Sequence, residues 1–231
     1  MSLTATANTN YAFSNWTGNV ANPTSASTTI TMTGPQSVTA KFVAATVNVA
    51  IGTSPAGLAF SVDGNPYSSA QNFTWNVGDM HTIATTSPQY PTAGTQETFA
   101  SWSDTGAISH SVTAAAGTTS YTASFNTTYQ LTTAANPSNE GVVTPPSGTY
   151  YAPNTVVNLM ATANANYAFS NWSGNVANAN SASTTVTMSG PQSVTANFAK
   201  AQVTFSPTSL NFGNVVVGRL SKKVVTFDEH R

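Results

Sequence analysis

Short runs of strict alternation mark this chain. In "TTITMTG", Ile30 and Met32 take one parity while Thr29, Thr31 and Thr33 take the other, and in "VTAKF" Val38, Ala40 and Phe42 oppose Thr39 and Lys41. Period two means strands with one buried face. The Gly-Pro break in the intervening "TGPQS" predicts that these two strands form a hairpin. Further along, "TVVNLMATANANYAF" predicts another strand pair, with Tyr167 and Phe169 on one parity and Trp172 on the other. A bend or bulge is required there if all three rings are to enter one core.

The patterns recur. Shifted by 156 positions, Leu3–Phe42 matches Leu159–Phe198 with 32 of 40 residues identical, which indicates a duplication. A weaker copy lies between them, where "FASWSDTGAISHSV" places Phe99 and Trp102 like Phe13 and Trp16 or Phe169 and Trp172. Each copy closes on an alternating strand, "VTAKF", "YTASF" or "VTANF", at 26, 23 and 26 residues from its Trp to its last Phe. The expected core is therefore Tyr11, Phe13, Trp16 and Phe42 in the first copy, Phe99, Trp102 and Phe125 in the second, and Tyr167, Phe169, Trp172 and Phe198 in the third. Large aromatics dominate small cores.

These repeats are longer than the units of a solenoid, so the chain is expected to be all-β, with tandem small modules arranged as beads on a string. The expected divisions are an incomplete module over 1–44, a middle module over 45–127, a complete module over 128–199, and a truncated module with a charged tail over 200–231. Leu3 of the first copy corresponds to Leu159, so the portion equivalent to Thr128–Asn158 is expected to be missing. The first copy is thus expected to lack its opening strands and to carry an unpaired edge.

Composition narrows the function. Thr and Ser supply 66 of 231 residues, and Asp, Glu, Lys and Arg together supply 13. Six of those 13 charges lie in the last 13 residues. A net charge of −1 gives no electrostatic reason to bind nucleic acid or an anionic membrane. With no cysteine, disulfides and thiolate metal sites are excluded. No apolar stretch reaches the roughly 20 residues of a membrane span, so no membrane insertion by this segment is expected. The start, "MSLTATANTN", lacks the cationic and apolar regions of a signal peptide.

Candidate chemistry is sparse. Asp63 in "VDGNP" and Asp79 in "VGDM" read as turn residues. Glu97 and Asp104 flank the middle aromatic motif without carboxylate counterparts in the outer copies, which argues against a retained catalytic pair. His81 and His110 share the parity of apolar neighbours but belong to no two-histidine metal motif. No catalytic, metal-binding or cofactor-binding residue is expected, and the chain is not expected to be an enzyme. If a surface glycan binds here, the expected contacts are Trp75, which stands outside the repeated motif, and a loop containing Tyr150 and Tyr151.

The stretch "LTTAANPSNEGVVTPPSGTYYAPNTVVNLMATANANYAFSNWSGN…STTVTMSGPQSVTANF" resembles the divergent bacterial repeat related to the internalin B-repeat, with its aromatic-x-x-Trp-x-Gly core and closing V-x-A-x-F strand. The middle opening, "VNVAIGTSPAGLAFSVDGNPY", looks more like a PEGA-type surface repeat. "VTFSPTSLNFGNVVVG" resembles the first strands of an immunoglobulin-like domain of the Hydin or choice-of-anchor kind. These resemblances imply spacer or interaction repeats of a bacterial cell-surface or secreted protein. The partners they imply are neighbouring domains of a larger chain, with a surface glycan or protein as the adhesive alternative.

Overall fold

The computed structural model describes residues 1–118 and 120–202, with 204–205, 218 and 227–228 besides. The immunoglobulin-like start and charged tail expected over 200–231 fall almost wholly outside the described residues. Among those described there is no helix, and the protein is all-β. The chain forms two compact units. One comprises Met1–Pro91 with Glu97–Asn126, and the other Thr92–Gln96 with Thr127–Arg231.

The first repeat copy contributes β1 (Ser2–Thr4), β2 (Tyr11–Thr17), β3 (Ser27–Thr29) and β4 (Thr39–Ala44). The middle copy follows with β5 (Thr46–Ser54), β6 (Phe60–Val62), β7 (Asn65–Tyr67), β8 (Gln71–Asn76), β9 (Met80–Thr85), β10 (Thr95–Trp102) and β11 (Ser109–Thr113). The long β12 (Ser120–Asn136) closes the middle copy with its first part and opens the third with its second. The third copy continues through β13 (Gly141–Thr144), β14 (Thr149–Tyr151), β15 (Val156–Ala163), β16 (Tyr167–Ser173), β17 (Ser183–Thr187) and β18 (Gln192–Lys200).

In the third copy successive strands change sheet at every step. One sheet has the order β14-β12-β18-β16 and the other β13-β15-β17. The predicted hairpins are therefore corrected. β17 and β18, like β15 and β16, are joined by arches that cross from one sheet to the other. The turns still fall where Gly190-Pro191 and the left-handed Asn166 break the chain (φ 70° at Asn166). Crossing lets the apolar parities of both strands face each other, so that Leu159, Val186 and Met188 meet Leu131, Trp172, Val194, Ala196 and Phe198 in one core. Because first and last strands land in the same sheet pointing the same way, β12 and β18 pair in parallel, from Leu131 opposite Gln192 to Asn136 opposite Asn197.

The middle copy repeats this plan over its full length. Its sheets are β8-β5-β12-β10 and β7-β6-β9-β11, and β5 and β12 again pair in parallel. The one added strand is β7, joined to β6 by Asp63-Gly64 at φ 51° and 79°. Both central residues at positive φ make the mirror-image turn that suits a two-residue hairpin, as Asp-Gly there predicts.

The first copy keeps the third copy's pairing residue for residue. Leu3 opposes Thr28 as Leu159 opposes Thr184, and Phe13 opposes Phe42 as Phe169 opposes Phe198. Each of its sheets has two strands among the described residues. Two residues expected in its core are consequently not there: Tyr11 is 55% and Phe42 38% exposed, whereas Phe198 is 6% exposed. In the third copy Gly141 of β13 lies against the Phe198 ring, so closely that a Cβ at that position would overlap it. Among the described residues nothing equivalent covers Phe42, and Tyr11, the first residue of β2, stands exposed opposite Ala44.

The cores make a stability prediction. Trp172, 2% exposed, should on replacement by Ala destabilise the third copy by about 3–5 kcal/mol. Gly174→Ala should cost about 1–3 kcal/mol, because φ is 108° and a Cβ would meet Ser193 O at 2.5 Å. Hydrogen exchange of β18 amides reads both effects. A change within about 0.5 kcal/mol for Trp172→Ala would place its indole outside the core.

Candidate functional site

The repeated "YAFSNW" segment is the most distinctive local chemistry in the chain. In β2 the pairing register with β4 slips between Phe13 and Asn15, and in β16 the register with β18 slips between Phe169 and Asn171. This is the bulge that the change of parity requires, and it turns the Trp to the same side as the Phe. Phe169 then lies 5.8 Å from Trp172 at 54° and 6.2 Å from Phe198 at 78°, with nearly the same values for Phe13, Trp16 and Phe42. Tilted and edge-on contacts of this kind add to the area that the rings bury.

Each indole also donates to the loop that follows it. Trp172 Nε1–H reaches Ser181 O at 2.9 Å, Trp16 reaches Ser25 O at 3.0 Å, and Trp102 reaches Ile108 O at 3.2 Å. Donor and acceptor are nine residues apart in the outer copies and six apart in the middle one. That difference accounts for the three residues by which the middle copy's Trp-to-Phe interval is shorter. The loop varies, and the bond that seats the indole is kept. Trp16, Trp102 and Trp172 are 8%, 1% and 2% exposed.

The middle copy adds two Trp–His–Asp groupings. His81 of β9 stacks on Trp75 of β8, with ring centres 3.9 Å apart and planes 13° apart, and its Nδ1 lies 2.8 Å from Asp63 Oδ2. Trp75, the candidate glycan contact, is 6% exposed and so lies in the core: β8 turns it inward and His81 covers it. His110 of β11 stands edge-on to Trp102, with Nε2 2.8 Å from Asp104 Oδ2 and Nδ1 2.7 Å from Ala107 O. The structure thus brings Asp104 to His110, a pairing not foreseen for function. A signal was available in their six-residue spacing across the shortened Trp loop.

These groupings organise charge without exposing a base. The His81 hydrogen bond holds the Asp63 carboxyl below the usual carboxylate range, against the effect of desolvation, with help from the Thr82 N–H. Burial pushes the Asp104 carboxyl up, but hydrogen bonds from His110 and the Gly106 N–H outweigh it and the carboxyl is lowered. Burial and the Asp104 charge together raise the Tyr121 phenol. Both nitrogens of His110 are already spent on acceptors, and Nε2 of His81 is buried with no partner among the described residues. Neither imidazole presents a free nitrogen to a substrate. Glu97 is 3% exposed on β10, its backbone bridged to Gln89.

Tyr150 and Tyr151 occupy strand β14 instead of a loop, opposite Gln130 and Tyr129 of β12. Adjacent strand residues face opposite ways, and Tyr151 packs on the core of its unit, so the two rings cannot form one aromatic strip. Two shallow concavities lie at one repeated place. One is lined by Asn158, Met160 and Thr185, the other by Ser2, Thr4 and Thr29. Their linings hold no titratable side chain. No group of three or more His, Asp or Glu suited to a metal occurs among the described residues.

An all-β protein of arched sandwiches, with its aromatic motif packed in each copy, belongs to the class of tandem β-repeat proteins. The family model for the divergent InlB B-repeat domain matches residues 1–46 and 131–202, about half of the chain, and the chain belongs to that family. The family is one of bacterial surface repeat modules. No curated protein and no solved structure matches the chain.

The two lowered carboxyls contribute to the acid response of the first unit. A carboxyl lowered on folding contributes stability above its ordinary range, near pH 4, and that contribution is lost as pH falls through and below it. Asp63→Asn with Asp104→Asn should therefore flatten the loss of stability between about pH 5 and pH 2. Urea unfolding across that range, with equal slopes for both proteins, would contradict the assignment.

Proposed function

We propose that this chain is a non-catalytic spacer segment of a bacterial cell-surface or secreted multidomain protein. Its modules run over 45–127 and 128–199, and the middle one is a third member of the repeat whose PEGA-like opening adds the β6–β7 hairpin. Its partners are the neighbouring domains that it holds apart. The observation carrying this reading is the junction inside the first unit. β4 ends at Ala44 and β5 begins at Thr46, so one residue separates two modules. Ala45 N–H donates to Asn10 O, and Ala45 O accepts from Val77 N–H. Gly78 packs so tightly on the Asn10 carboxamide that a Cβ there would collide with it.

A linker of one residue, hydrogen-bonded to both modules, transmits position from one to the next, which a flexible tether cannot do. At the end of the third copy Ala201 N–H donates to Asn166 O, the counterpart of the bond from Ala45 to Asn10. Trp16, Trp102 and Trp172 buried at fixed places suit scaffolding, and with Trp75 buried as well the adhesive alternative loses its main aromatic contact.

The absence of cysteine permits a clean test by site-directed spin labelling. Labels at Thr24→Cys and Ser69→Cys, both on exposed residues of the first unit, should give a narrow distance distribution. Inserting six Gly/Ser residues after Ala45 should broaden it. A native distribution as broad as that of the insertion variant would remove the spacer reading.

A further inference from the structure

In the modules over 45–127 and 128–199 the chain enters through one strand and leaves through another that lies beside it and points the same way. In the third copy Leu131 to Asn136 of β12 stand opposite Gln192 to Asn197 of β18, six residue pairs in register. In the middle copy Ala50 to Ser54 of β5 stand opposite Ser120 to Ser124 of β12, five pairs. The chain continues on both sides of each module. Tension along it therefore pulls the entering strand toward its own start and the leaving strand toward its own end. For parallel neighbours these pulls oppose each other along one ladder. The bonds of a parallel ladder are evenly spaced, and under such a pull all of them must slip together. Between antiparallel neighbours the same tension would enter and leave at one end and open the pairs singly.

The third copy's ladder is reinforced where that load falls. β18 lies between β12 and β16, so neither of its sides is an open edge. β12 is tied besides to the segment before β14: Gly148 N–H donates to Leu131 O at 2.9 Å, and Thr133 Oγ1–H donates to Pro145 O at 3.1 Å. Leu131, Val194 and Ala196, which stand along the ladder, are 0%, 1% and 0% exposed, so their face of it is closed to water. At the far end Asn136 Nδ2–H donates to Asn197 Oδ1 at 3.1 Å, and Asn197 Nδ2–H donates to Ser173 Oγ at 2.9 Å. These side chains link β12, β18 and β16 at the end where load leaves the module.

We propose that the modules bear tension, and that the parallel ladder between entering and leaving strands is the clamp that resists it. Ser124 ends one ladder and Leu131 begins the next, both on β12, so load leaving the first enters the second without passing through a loop. The inference goes beyond the spacer reading and fails separately from it. A narrow spin-label distribution fixes a distance at rest, whereas rupture force measures resistance to a pull.

The test is single-molecule force spectroscopy on the full chain, whose lack of cysteine lets DNA handles be placed by substitution. Thr132 and Ser193 are exposed and directly opposite each other near the start of the ladder, and Lys200 is exposed at the end of β18. Handles at Thr132→Cys and Lys200→Cys pull along the strands. Handles at Thr132→Cys and Ser193→Cys pull across them. The two proteins share one anchor and load the same module, and the extension set by the residues between the handles identifies the event. At equal loading rate the axial force should be at least about twice the lateral one, because forced unfolding follows the barrier along the pulled direction and the axial pull is shared by the whole ladder. Equal forces in the two directions, a higher lateral force, or axial extension with no resisting step would overturn the proposal.

Discussion

The parallel pairing of a module's first strand with its last is the interaction on which the rest depends. Successive strands of the complete copy alternate between two sheets, so no hairpin ties the sandwich together locally, β7 of the middle copy excepted. The two sheets stay in register through contacts between residues far apart in sequence, and β12 against β18 spans the longest of these intervals in the third copy. The chain contains its own control. The first copy has nearly the same sequence, the same bulge and the same ring geometry, but among the described residues β4 pairs with β2 alone, and Met32 and Phe42 are exposed. Burial in this fold is thus a property of strand closure, beyond what a residue's own parity dictates.

Within that frame the Trp performs a second task. Its indole fills the core beside the bulge, while its N–H holds the loop that leads to the next strand. The middle copy shortens this loop by three residues and keeps the bond to the backbone. There His110 approaches Trp102 from the edge and is itself tied by Asp104 and Ala107. A polar pair thus lies against the buried indole, and its hydrogen bonds lower the Asp104 carboxyl.

Much of this was legible in the sequence, for reasons that also mark the limit. Alternation identified the strands, and the parity conflict between Phe169 and Trp172 required the bulge found there. Asp63-Gly64 specified its turn, since few other pairs tolerate two positive φ values. Alternation assigns a face to each residue but names no partner strand, and so the arches were read as hairpins and the parallel closure was not seen. The same blindness to partners placed Tyr11 and Phe42 in a core that the first copy does not close, and left Trp75 as a surface candidate. Tyr150 and Tyr151, flanked by Gly and Pro, looked like a loop; pairing with Tyr129 and Gln130 draws them into β14.

For function, these features favour an element that sets distance and presents repeated faces. The His, Asp and Trp side chains of the middle copy are engaged with one another. The account stands or falls on strand closure, and hydrogen exchange of the nearly identical segments Val38–Phe42 and Val194–Phe198 measures it most directly in the full chain. Amides of Val194–Phe198, held between β12 and β16, should exchange slowly, and those of Val38–Phe42 should exchange orders of magnitude faster despite four identities in five residues. Equal protection of the two segments would contradict the claim that closure by the opening strand, and not the repeated sequence alone, makes the core.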